Sequence, residues 1–236
     1  MKIYLSGRWG ARYIRRVFIK EIDTYSRVLS ERFLPTVNDE EISKLADRAA
    51  DEEWRRLGSL PGSEDYDESA AAEAASDVGL EEYQYLQSIR QGVLNTFGAG
   101  LYHLFEQQLC NLYRGIVGKT DLQLDTYEAA KLFDTDFGID STAFPMWNEI
   151  DGVRLLANCV KHGEGKSCQE LRKRDPELFR SATEKQMKLP AEPRQFVERP
   201  LGGEGIYLTL EEFERRVAII KEFWLMFGKR LVEIDG

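Results

Sequence analysis

The stretch Leu80–Val117, LEEYQYLQSIRQGVLNTFGAGLYHLFEQQLCNLYRGIV, decides the fold. Within it Leu86, Ile89, Val93, Phe97, Leu101, Leu104, Phe105, Leu109, Leu112 and Ile116 recur every three or four residues, the spacing at which helical side chains return to one face. A long central helix of the core is predicted. Gly92, Gly98 and Gly100 each weaken a helix by up to about 1 kcal/mol relative to Ala. They mark a kink, a break or a close approach by another helix, with close approach or a break near Gly98 favoured. His103 and Glu106, one turn apart, read as half-buried groups bonded to local partners.

Working outward from this segment, the N-terminal side carries two more helical patterns. Ile14, Val17, Phe18, Ile22, Tyr25, Leu29 and Phe33 keep helical spacing until Pro35 ends the run. Asn38-Asp39-Glu40-Glu41 then has the form of an N-cap, and Ile42, Leu45, Ala49 and Trp54 are expected to line one face behind it. Residues 1–57 are thus expected to form a helical hairpin. Residues 58–79, acidic, small and broken by Pro and Gly, read as a linker in which Glu68 to Ala75 has room for a turn or two of helix.

On the C-terminal side, Asp125-Thr126-Tyr127-Glu128 and Thr209-Leu210-Glu211-Glu212 are capping-box patterns, and Ser167-Cys168-Gln169-Glu170 repeats the signature. Asp175-Pro176 begins a short turn, and residues 181–207, with three prolines and the run Gly202-Gly203-Glu204-Gly205, form a long loop. Every strong periodicity is helical, so an all-α bundle is expected over 80–236.

Composition narrows the function classes. The 236 residues, 42% hydrophobic and 31% charged, suit one good-sized core, and no apolar run approaches the length of a membrane span. The opening MKIYLSGRWGARYIRR mixes charge into its apolar residues too early for a secretory signal, and three cysteines fit free thiols in a reducing compartment; a cytoplasmic protein is expected. The net charge of −9 argues against nonspecific coating of nucleic acid. The charge is unevenly placed, however: residues 1–38 hold eight Lys/Arg against three Asp/Glu, residues 39–82 four against fifteen, and residues 154–199 eleven against seven. Solvated faces account for such blocks, and a phosphate-facing surface beginning near Arg154 is the functional alternative.

The polar residues that carry chemistry gather between Pro145 and Ser167. At 100° per residue, Arg154, Asn158, Lys161 and His162 share one side of a helix beside the apolar stripe Ile150, Val153, Ala157 and Val160. Gly163 and Gly165 then stop it, placing Lys161 and His162 at the carbonyl end, where cations are favoured. An ordinary basic helix terminus and a functional cluster share this pattern. Cys159, His162 and Cys168 lack a fourth ligand for zinc, and Cys159 and Cys110 read as inert core thiols. No P-loop, dinucleotide fingerprint, nucleophile elbow or metalloprotease motif is present, and neither metal nor other cofactor is expected.

The segment Asn158-Cys159-Val160-Lys161-His162, preceded by Arg154 and by a long helix containing LYHLFEQQL, resembles the HEPN superfamily of small helical proteins. The resemblance covers about residues 80 to 236. It implies a bundle of four or more helices and, in many members, metal-independent RNA cleavage in toxins or antiviral defence, from a cleft between two protomers. Its motif is an Arg, often followed by Asn or another polar residue, with four to six residues before a His. Asn158 and His162 fit the common form, but Ala157 occupies the Arg position and Arg154 lies one turn earlier. The resemblance implies Arg154, Asn158 and His162 as catalytic residues, with His162 accepting a 2′-hydroxyl proton and Lys161 and Lys166 facing phosphate. RNA and a homodimer or protein partner are the implied partners. A noncatalytic HEPN-like module within a larger assembly is the alternative, motivated by Ala157.

Overall fold

A computed structural model describes residues 7–60, 67–189 and 196–234. The chain is all-α, with no strand among the described residues. It opens with α1 (Gly7–Tyr13), a π-helical segment (Ile14–Ile19), α2 (Lys20–Val28) and a second π segment (Leu29–Phe33), joined through helical backbone. Ile14, Phe18, Ile22 and Leu29 are buried from this run. A 3₁₀ turn containing Pro35 follows, and then α3 (Asp39–Gly58), whose N-cap Asn38 accepts from the Glu41 amide at 2.9 Å.

The centre of the molecule is α4 (Glu68–Val117), fifty residues long and so about 75 Å end to end. Its start corrects the expected 58–79 linker: Asp67 caps the Ser69 amide and the alanines beyond it continue the helix, which leaves 59–67 as the connection, with 61–66 outside the described residues. α3 lies along the first half of α4 and not against the N-terminal helices, which pack instead on the C-terminal helix. The α3–α4 contact is built from small residues. A Cβ added at Gly79 would lie 3.0 Å from the Ala50 Cβ and 3.1 Å from the Ala46 carbonyl oxygen. Ile42, Ala46 and Leu57 form the buried face of α3, whereas Leu45 and Trp54, expected inside, are exposed.

The glycines of α4 do not break it. Each admits a neighbour: Gly92 lies under the Leu201 carbonyl, Gly98 has Leu208 Cδ2 within 2.6 Å of where a Cβ would be, and Gly100 sits beneath the Tyr25 hydroxyl. The 196–208 segment is held on α4 from the same side. Asn95, fully buried, donates to the Pro200 and Ile206 carbonyls at 2.7 and 2.9 Å, and Gln91 donates to Leu208 O at 2.9 Å.

After α4 come α5 (Thr126–Phe137), α6 (Trp147–His162), α7 (Lys166–Arg174), the short α8 (Ala182–Gln186) and α9 (Leu210–Ile234). The capping boxes at Asp125/Glu128 and Thr209/Glu212 both form. The one expected at Ser167 does not, because α7 begins at Lys166 with Gly165 as its cap. Phe105, Phe133, Phe223, Trp224 and Phe227 form a continuous aromatic centre between α4, α5 and α9. No described helix is long and apolar enough to cross a membrane.

Candidate functional site

α6 is positioned by its apolar stripe. Ile150, Val153, Ala157 and Val160 are each at most 2% exposed, packed toward α4 and α9, so the neighbouring arc with Arg154 and Asn158 lies at the edge of the core. Gly163 ends the helix at φ +70°, and a Cβ there would come 2.8 Å from the Val197 carbonyl oxygen. The turn beyond it is pinned by Glu164. Its amide donates to Val197 O at 2.8 Å, and its carboxylate accepts from Arg172 at 2.7 Å and from the Val197 amide at 3.4 Å. The Arg172 hydrogen bond holds the Glu164 carboxyl below the usual carboxylate range.

Arg154 points away from this turn. Its Nε donates to Asp151 Oδ1 at 2.7 Å, one turn toward the helix start, and its guanidinium lies over the Tyr127 ring at 5.6 Å. The Tyr127 hydroxyl donates to the same carboxylate, and Arg174 from α7 reaches its other oxygen at 2.8 Å. Asp151 therefore has three donors. Burial pushes its carboxyl up, but the bonds from Tyr127 and Arg154 and the charges of Arg154 and Arg174 together hold it below the ordinary range. Burial and the bond to Asp151 raise the Tyr127 hydroxyl.

A second polar group adjoins the first. Tyr102 and Thr126 hydroxyls are 2.8 Å apart, Thr126 donates to Glu106 at 3.2 Å, and Glu106 meets His103 Nδ1 at 3.5 Å. His103 thus has the local partner expected of it. The i,i+3 spacing of Asp151 and Arg154 was the one sign in the sequence of the larger cluster. Tyr127 and Arg174 stand too far along the chain for any such sign.

The other predicted residues lie beyond Arg154, with Asn158, Lys161 and His162 in the last turns of α6 and Lys166 at the start of α7. Asn158 makes a 3.5 Å contact with Ser167 Oγ, at the limit of a hydrogen bond. Lys161, His162 and Lys166 are exposed, and among the described residues none of their side chains makes a hydrogen bond or ion pair. The structure therefore brings Lys161, His162 and Lys166 to one turn and leaves Arg154 with Asp151. Eight residues of helix, about 12 Å of rise, separate Arg154 from His162, and the guanidinium extends in the direction that widens that gap.

The cysteines correct a further expectation. Cys159 and Cys168, read as free thiols, are joined as a disulfide with Cα atoms 4.8 Å apart, while Cys110 is free and buried. Helical placement of Cys159 one turn from the end of α6 and of Cys168 in the first turn of α7 makes the pairing, which no spacing rule revealed. The bond encloses the turn bearing His162. Among the described residues no three His, Cys, Asp or Glu are grouped to hold a metal ion. No protein-family model, curated protein or solved structure matches the chain.

Proposed function

We propose that the chain is a noncatalytic, HEPN-like helical module that binds a partner within a larger assembly. One observation carries this reading: Arg154, the cation that would have to serve His162, is fixed to Asp151 and stacked on Tyr127. A guanidinium that stabilises charge on a phosphoryl group must reach the atoms where that charge develops, and one tied a turn away does not. The exposed Lys161, His162 and Lys166 then serve as contact residues on a turn stiffened by Glu164, Arg172 and the disulfide. The test is recovery of the chain from its own cells in a complex of fixed stoichiometry that survives washing and is lost in Lys161→Glu/Lys166→Glu. Recovery of the wild-type chain free of any stoichiometric companion refutes the reading.

A second reading, a metal-independent RNA endonuclease of toxin or antiviral-defence type, is favoured by one observation. The His162 imidazole and the Lys161 ammonium share the exposed end of α6, one turn after the Asn158 amide, and the exposed Lys166 opens α7 four residues on. In that reading His162 accepts the 2′-hydroxyl proton, and Lys161 and Lys166 face the phosphate. Chelator-resistant RNA cleavage that His162→Ala abolishes without lowering the melting temperature would establish it over the first.

A further inference from the structure

The arginines of this chain fall into two classes. Every described arginine beyond residue 33 has an ion pair or a side-chain hydrogen bond, from Arg48 with Glu52 to Arg230 with Glu233. Over residues 7–33, Arg8, Arg12, Arg15, Arg16, Lys20, Arg27 and Arg32 are all exposed, and none has either kind of partner among the described residues. The carboxylates of the same run are mostly engaged. Glu21 accepts from Gln108 at 3.0 Å and Asp23 pairs with Lys221 at 2.6 Å, which leaves Glu31 as the one uncommitted acid against seven free cations. Arg8, Arg12, Arg16 and Lys20 follow one another at four-residue steps, so each adjacent pair is a like-charge pair that weakens the helix carrying it. At 100° per residue Arg8, Arg12, Arg15 and Arg16 lie within an arc of about 100°. That arc is opposite the buried Gly7, Gly10 and Ile14.

The cations are bordered by apolar surface. On one flank Trp9, 45% exposed, stacks on Tyr13 at 5.5 Å. On the other, Arg15 shares a depression with Leu225 and Val232 of α9, both exposed, and with Lys229 and Glu233, which pair with each other. Farther along, Arg16 and Lys20 rim an open groove of about 660 Å³ between α2 and α4. Val28, Phe97 and Leu104 wall it, and Glu21 and Thr24 are also on it. Phosphates backed by hydrocarbon suit such neighbours. Phosphates backed by nucleic-acid bases do not: neither hollow has a side-chain amide for a base edge. In the hollow under Trp9 and Tyr13, Gln108 already donates to Phe18 O and Glu21, and Asn111 accepts from Arg114.

We infer that the α1–α2 run is a docking face for an anionic phospholipid surface, with its free arginines on headgroup phosphates and Trp9, Leu225 and Val232 at the boundary with the acyl chains. Clustered Lys and Arg along a helix, with an aromatic side chain beside them, are what binds a protein to such a surface without a spanning segment. The number of cations selects a surface over a single amphiphile. One molecule with its head group at Arg16 and Lys20 leaves Arg8, about 12 Å away along the helix, unanswered, whereas a layer of head groups meets the whole arc. The acidic excess of the chain lies outside the run, with fifteen Asp/Glu against four Lys/Arg over residues 39–82. None of the residues used belongs to the α6 turn, so this inference stands apart from the function proposed for that turn.

Sedimentation of the full chain with vesicles tests it. Vesicles of phosphatidylcholine containing about 30% phosphatidylserine are expected to carry the protein down, vesicles of phosphatidylcholine alone are not, and the bound fraction should fall as salt is raised. Each cation near the surface contributes about fivefold to partitioning, so Arg8→Gln/Arg12→Gln/Arg16→Gln is expected to lower it about a hundredfold with helicity unchanged. Lys161→Glu/Lys166→Glu, on the α6 turn, should leave it unaltered. Wild-type protein that stays in solution with both vesicle types overturns the inference. So does equal binding to both, binding indifferent to the triple Gln variant, or a single-stranded RNA that binds through these arginines while the vesicles do not.

Discussion

Replacing Asp151 by Ala removes the carboxylate that holds Arg154, Arg174 and Tyr127 together. The side chain of Asp151 is 12% exposed, and it accepts from two guanidinium groups at 2.7 and 2.8 Å and from a phenol. A hydrogen bond to a charged group contributes about 1.5–3 kcal/mol, but Arg174 is 34% exposed and keeps Glu170, and Arg154 is 25% exposed, so water replaces part of each. The expected loss is about 2–3 kcal/mol, or roughly 5–10 °C in melting temperature for a chain of this size. Urea denaturation at pH 7 measures it. Arg154→Ala alone should lose less, and the double variant should fall short of the sum by more than about 0.5 kcal/mol because both changes remove one contact. The pH dependence has a definite sign: the folded pKa of Asp151 is lowered, so its contribution is complete above the unfolded value of about 3.9 and disappears as pH falls through the folded value. The gap between wild type and Asp151→Ala should therefore close in acid. An Asp151→Ala protein within about 0.5 kcal/mol of wild type at pH 7 refutes the cluster as a tie on Arg154.

Gly152 and Gly92 should respond in opposite ways: nothing lies within 4 Å of a Cβ at Gly152, so Gly152→Ala is expected to stabilise by about 1 kcal/mol, whereas Gly92→Ala drives a methyl group into the Leu201 carbonyl and lowers the melting temperature. Asn95→Ala leaves the Ile206 carbonyl without the Asn95 donor and the Pro200 carbonyl with only the Gly203 amide at 3.3 Å, and a loss of about 1–3 kcal/mol is expected, with faster hydrogen exchange in 196–208. The Cys159–Cys168 bond closes a short loop; reduction should lower stability by about 2–3 kcal/mol. Thiol titration of the unfolded, unreduced protein should find one free cysteine, and three would show that the pair is unbonded.

The periodic part of the fold was legible in the sequence because local rules made it. The Asp125/Glu128 and Thr209/Glu212 caps, the stop at Gly163 and the core stripe of α6 depend on residues within one turn of each other. What depended on distant segments was not legible. Leu45, Trp54 and Ile89 have core-like spacing yet are exposed, because α3 meets α4 through Ile42, Ala46, Ala50, Leu57 and Gly79, which leaves those three side chains off the contact. The start of α4 at Glu68 was hidden by acidic, small residues whose composition resembles a linker but whose alanines form helix well. At the candidate site, placement of Arg154, Asn158, Lys161 and His162 along one helix was readable. The partner of Arg154 was only half so: Asp151 lies within one turn, but Tyr127 and Arg174 come from α5 and α7. Side-chain direction separated residues that helical spacing had grouped.

The central claim, that the Arg154 guanidinium belongs to Asp151 and not to His162, is tested most directly by nuclear magnetic resonance of the arginine Nε–H groups. The account predicts a resolved, slowly exchanging Arg154 Nε–H at pH 7 that collapses toward the free-arginine position in Asp151→Ala and is unmoved in His162→Ala. A resonance indifferent to Asp151→Ala but shifted by His162→Ala would contradict it.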